Sequence, residues 1–94
     1  MNTYMLTVTY KAKTGCGKKF VQELEQSGIA DTVRAEDGCI CYNYYFSATD
    51  EDTVLLFEEW ESKHHQQVHM TQPHIAPLIK IKENYILDTK LRVL

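Results

Sequence analysis

The chain has 94 residues, of which 44% are hydrophobic and 24% charged, and a net charge of −3. That length supports one small core and hence one domain over 1–94, and the composition excludes a disordered chain. No apolar run approaches the roughly 20 residues of a membrane helix, and no basic cluster beyond Gly17-Lys18-Lys19 offers a footing for nucleic acid, so neither membrane nor nucleic acid is expected as a partner.

In chain order, Thr3 to Ala12 is rich in β-branched and aromatic residues with loose alternation and predicts a first strand, ending in the turn residues Lys13 to Gly17. TGCGKK is no phosphate loop, because only Cys16 stands between its glycines where four residues are needed. From Lys18 to Glu36, Phe20, Val21, Leu24, Ile29 and Val33 recur at mostly helical spacings, with Ser27-Gly28 placed to weaken or bend the middle and Glu36-Asp37-Gly38 to close it. Cys39 to Ser47 and Thr53 to Trp60, joined by polar Ala48 to Asp52, predict a hairpin. Ser62 is placed to N-cap a helix through Met70. Pro73 suits the first turn of a further helical segment from His74 to about Lys82, with Pro77 early enough to kink it. Asn84 to Leu94 alternates again and predicts a fourth strand. MNTYMLTVTY lacks the pattern of an export signal, and the odd count of three cysteines, Cys16, Cys39 and Cys41, reads as reduced thiols of a cytoplasmic protein.

The order β-α-β-β-α-β predicts an α+β, ferredoxin-like split βαβ fold, an antiparallel sheet with helices on one face. Both faces of the hairpin are apolar: Leu56 and Trp60 oppose Leu55 and Phe57, while Tyr42, Tyr44 and Phe46 oppose Cys41 and Tyr45. No sequence remains to cover the second face, so a homodimer is expected, its sheets forming a dimeric α+β barrel.

Glu36-Asp37-Gly38-Cys39, Tyr42, Phe57-Glu58-Glu59-Trp60-Glu61-Ser62 and His69-Met70-Thr71-Gln72-Pro73-His74 together resemble the antibiotic biosynthesis monooxygenase family, which includes quinol monooxygenases. The resemblance runs over nearly the whole chain. It implies small homodimeric barrels with a pocket between sheet and helices, and oxygen insertion from O2 into electron-rich aromatic substrates, commonly with no flavin, metal or haem cofactor. The family also includes isomerases and proteins without assigned activity, so an isomerase of a small carbonyl compound and a non-catalytic dimeric binding or stress-response module are the alternatives.

Such chemistry requires a base, because a quinol or phenol reduces dioxygen far better once deprotonated. Histidine, with an ordinary pKa of about 6.5, suits the task. His69 matches the family's helix histidine and is the first candidate. His74 matches too and is expected to bind or orient a substrate oxygen, with Tyr44 as a second substrate contact. Glu58 and Trp60 match a Glu-x-Trp pair, and their shared strand parity puts a carboxylate beside an indole donor. Each also has a purely structural reading: Trp60 as core, Glu58 as a bridge to Arg34, His69 as a half-buried cap, Tyr44 as sheet packing. His64 and His65 are expected to be solvated. His65 and His69 at i, i+4 with His74 or Glu61 offer metal ligands, but Gln66 stands where a zinc hydrolase has its glutamate, and no histidine follows His74 to serve as a later haem ligand. No metal or other cofactor is therefore expected.

Overall fold

The computed structural model describes residues 2–94; Met1, first residue of the domain expected over 1–94, lies outside the described residues. The elements are β1 (Tyr4–Ala12), α1 (Gly17–Gln26), α2 (Ile29–Arg34), β2 (Cys39–Phe46), β3 (Thr53–Trp60), α3 (Lys63–His69), α4 (Ile75–Tyr85) and β4 (Ile86–Val93). The strands form one antiparallel sheet in the order β2-β3-β1-β4, the ferredoxin-like arrangement the alternating patterns predicted.

Period-2 alternation sorts the side chains. In β3, Val54, Leu56, Glu58 and Trp60 are buried while Thr53, Leu55, Phe57 and Glu59 are half-buried on the other face. Leu6, Val8, Tyr10 and Ala12 of β1 join the buried set, and Phe20, Leu24 and Val33 close over them from the helices. The ladder pairs Tyr42 with Glu58, Tyr44 with Leu56 and Phe46 with Val54, so these side chains share the helix-covered face, whereas Tyr45 opposes Leu55 on the uncovered one.

The helix expected over 18–36 is two helices. Gly28 stands between them at φ 83°, a left-handed conformation that ends α1 and turns the chain into α2. Pro73 lies outside the last helix, in the turn closed by Ile75 N–H to the Gln72 carbonyl, where its fixed φ suits the turn's second position. Pro77 is the third residue of α4, where an N–H would have no helical partner, and the helix runs unbroken to Tyr85, past the expected end near Lys82. β4 accordingly begins at Ile86 rather than Asn84. Ser62 does cap α3, its hydroxyl accepting from His65 N–H. α1 is capped from a distance: the buried Asp52 carboxylate accepts from Gly15 N–H at 3.0 Å and Gly17 N–H at 3.1 Å.

Candidate active site

Three segments converge at one end of the covered face: the turn after α2, the end of β3, and α3 with the turn following it. The turn 36–39 is closed by Cys39 N–H to the Glu36 carbonyl at 3.1 Å, with Gly38 in its third position at φ 80°. Gly38 also lies against His65: a Cβ there would stand 2.3 Å from the imidazole, so only glycine lets the turn approach α3 this closely. The Glu36 side chain is thereby brought to the last turn of α3.

Its Oε2 accepts two hydrogen bonds, from His69 Nδ1 at 2.7 Å and His74 Nε2 at 2.6 Å. Because a carboxylate can only accept, the protons are assigned to those two nitrogens. The His69 side chain is only 4% exposed and that of Glu36 10%. Under His69 lies the fully buried Trp60, ring centroids 4.8 Å apart and planes 30° from parallel, and the Tyr42 ring meets it edge-on at 6.1 Å. Trp60 in turn donates its indole N–H to Glu58 Oε1 at 3.0 Å, so strand parity did place carboxylate and indole side by side. His69 is thus held by a stacked ring, an edge-on ring and a carboxylate.

His69 also lines a cavity of about 150 Å³ between sheet and helices. Val8, Leu56, Ile75 and Leu78 give it an apolar lining, and Tyr10, Tyr42, Glu58, His69 and Lys82 add polar groups. Burial pushes the Tyr10 and Tyr42 phenols well up, so both remain neutral donors at physiological pH. Burial also raises Glu58, the indole bond and His69 only partly offsetting it. The Lys82 ammonium sits 5.6 Å from the Tyr10 ring centroid at the cavity's edge.

Of the candidates from sequence, His69 and Glu58 line this cavity. Trp60 and His74 stand behind them, their polar atoms engaged by Glu58 and Glu36. Tyr44 shares a 3.1 Å hydroxyl contact with Tyr42, and burial raises its phenol too. The suggested bridge from Glu58 to Arg34 does not form: Arg34 forks onto Glu25 at 2.7 Å and reaches Asp31 and the Tyr42 carbonyl. His65 is not fully solvated and does not pair with His69; its Nδ1 meets Ser62 Oγ at 2.7 Å. Glu36 and Lys82 carried no role in the sequence reading. Glu36 had been visible only as part of the Glu-Asp-Gly-Cys turn.

A family model for antibiotic biosynthesis monooxygenase matches residues 3–80. The chain belongs to the antibiotic biosynthesis monooxygenase family. Within that family's reach, it is 29% identical to the probable quinol monooxygenase YgiN of Escherichia coli (strain K12), over 96% of each chain. Among solved structures it resembles PA3566 from Pseudomonas aeruginosa, with a TM-score of 0.86, 21% identity and coverage of 100% of this chain and 93% of that one. A conserved protein from Methanosarcina mazei Go1 superposes with a TM-score of 0.85 at 20% identity, covering 100% and 92%. At such identities the two structures speak for the fold alone, and the monooxygenase family assignment rests on the matched residues.

Proposed function

We propose that the chain is a cofactor-independent monooxygenase that oxidises a small quinol or phenol with O2, His69 acting as the base. The observation carrying this reading is that His69 meets both the Glu36 carboxylate and an apolar cavity. With Nδ1–H donated to Glu36, the neutral ring presents Nε2 as the acceptor. Glu36 fixes the tautomer and the orientation of the ring, as a carboxylate does behind a histidine base.

The substrate's aromatic ring occupies the cavity, whose volume of about 150 Å³ is of the order that admits a single aromatic ring. Nε2 takes a hydroxyl proton, and the resulting phenolate, next to Lys82 and the neutral Tyr10 and Tyr42 hydroxyls, is the electron donor to O2. One oxygen atom enters the ring and the other leaves as water. Hydroquinone plus O2 becomes hydroxyquinone plus water, the substrate supplying all four electrons. Glu58 stands at the same wall, and its raised affinity for a proton suits it to return one to the reduced oxygen. Trp60 and His74 are positioning residues in this scheme, holding Glu58, His69 and Glu36. The similarity to a quinol monooxygenase supports the substrate class, and the apolar lining supports water exclusion.

The test is oxygen uptake by metal- and flavin-free protein on single-ring hydroquinones, with 18O2 tracing one labelled atom into the product. Uptake with no label in the product would leave an oxidase. No uptake on any quinol or phenol would favour a binding module.

A further inference from the structure

We propose that Glu36, His69 and His74 form a binding site for a divalent first-row transition metal, zinc being the representative ion, and that occupancy silences His69 as a base. The binding claim stands on geometry alone, while the silencing claim rests on the function proposed above.

The ligand atoms already converge. His69 Nδ1 and His74 Nε2 both aim at one oxygen of Glu36, at 2.7 and 2.6 Å, and the three groups' ligand atoms lie within 4.8 Å of one another. Zinc bonds of about 2.0 to 2.2 Å in tetrahedral geometry put neighbouring ligand atoms about 3.3 Å apart. The carboxylate therefore needs to withdraw by well under 1 Å from each ring nitrogen, with the two imidazole nitrogens, at most 4.8 Å apart, closing by up to about 1.5 Å on the ion that replaces their two protons. Two imidazoles and one carboxylate select zinc, copper, nickel or iron over magnesium and calcium, which prefer all-oxygen shells. Three protein ligands leave a fourth position open.

Charge favours a cation as well. Among the described residues, the ion-pair partners of Glu36 are these two histidines, with no lysine or arginine within reach. A largely buried carboxylate held only by imidazoles is suited to a metal ion. A way in exists: Glu36 also lines a surface recess of about 190 Å³ with Asp37, His64, His65, Val68 and Gln72, on the solvent side of the cluster. The Asp37 carboxylate at its rim attracts a cation, and the two recess histidines take no part in holding it.

The consequence for the base follows from proton accounting. A metal on Nδ1 displaces that nitrogen's proton, and the neutral ring then carries its proton on Nε2, the atom that was to accept from substrate. The metal is thus an inhibitor of the proposed chemistry, not its cofactor.

Untagged, metal-free protein is titrated with zinc against a chromophoric chelator. One ion per chain is expected. Glu36→Gln and His74→Asn, chosen to retain hydrogen-bonding partners and verified as folded by circular dichroism, should each weaken binding by more than the roughly 10- to 100-fold that loss of an outer-shell partner costs. The double variant His64→Ala/His65→Ala should bind as the parent does. Absence of stoichiometric uptake overturns the site. So does retention of affinity in His74→Asn with loss in the double variant, which would put the ion on the recess histidines. If zinc binds at the triad yet oxygen uptake on hydroquinone is unaffected, the silencing claim falls together with His69 as base, and the site remains.

Discussion

Glu58 differs from an ordinary sheet carboxylate because it is 5% exposed and, among the described residues, its hydrogen-bond partner is an indole N–H. Burial raises its proton affinity in the fold, against the offsetting pull of Trp60 and His69. A carboxylate whose pKa rises on folding contributes most stability below its unfolded pKa of about 4.3 and loses that contribution as pH climbs through the folded value. Glu58→Gln, which still accepts from Trp60, should therefore flatten the decline in stability between acidic and neutral pH. Urea midpoints of parent and variant at pH 5 and pH 7.5 measure it; an equal drop in both proteins would show that Glu58 is not the group responsible. Cys39 offers a second test. Burial, reinforced by the charges of Glu36 and Glu58, pushes its thiol up to about 11. The thiolate attacks, so Cys39 should be alkylated by iodoacetamide about 100-fold more slowly at pH 8 than an ordinary exposed cysteine, as read by peptide mass spectrometry. Prompt labelling at Cys39 would mean that the start of β2 opens readily.

At the scale of elements, Gly28 and Phe20 contribute in different ways. A side chain at Gly28 meets nothing within 4 Å, yet φ 83° is a left-handed conformation, so Gly28→Ala should cost roughly 1 to 2 kcal/mol from backbone strain alone. Phe20 is 1% exposed among Tyr10, Tyr44 and Tyr85, and Phe20→Ala should cost about 3 to 5 kcal/mol in lost burial and cavity. Denaturant unfolding of both variants should rank them in that order, and a reversed order would mean that the α1–α2 junction, not the aromatic cluster, holds the helices to the sheet. These elements were largely legible in the sequence, since alternation and turn residues mark the four strands and Ser62 marks α3. The Ser27-Gly28 pair signals a bend, and the five-residue step from Leu24 to Ile29 puts Ile29 and Val33 on the opposite side of a continuous helix from Phe20 and Leu24, a phase slip that the break at Gly28 absorbs. Adjacency of Glu58 and Trp60 could be read from parity, a local property. Glu36 could not be assigned its place, because its partners are 33 and 38 residues away and such closure depends on how turn and helix pack. For the same reason the sequence could not divide Glu58 and His69, at the cavity, from Trp60, His74 and Tyr44 behind it.

At the scale of the whole molecule, the sheet's second face leaves Leu55 and Phe57 half-buried, with Met5 36% and Tyr45 49% exposed, while Leu91 and Val93 of the edge strand, paired with Val8 and Leu6 on the covered face, stay mostly open at its margin. An apolar surface of that extent is expected to pack against another copy of the chain. Light scattering after gel filtration should give about twice 10.9 kDa, and Phe57→Lys should shift the population toward monomer. A monomeric parent at micromolar concentration would contradict the barrel. The proposed chemistry lies on the covered face, at a histidine that meets both a carboxylate and an apolar cavity. Its most direct test is turnover of hydroquinone under O2 by His69→Ala beside the parent, both free of metal and flavin. A loss of about 10² to 10⁴ in rate, with fold and assembly unchanged, is the predicted result; undiminished turnover in His69→Ala would contradict it.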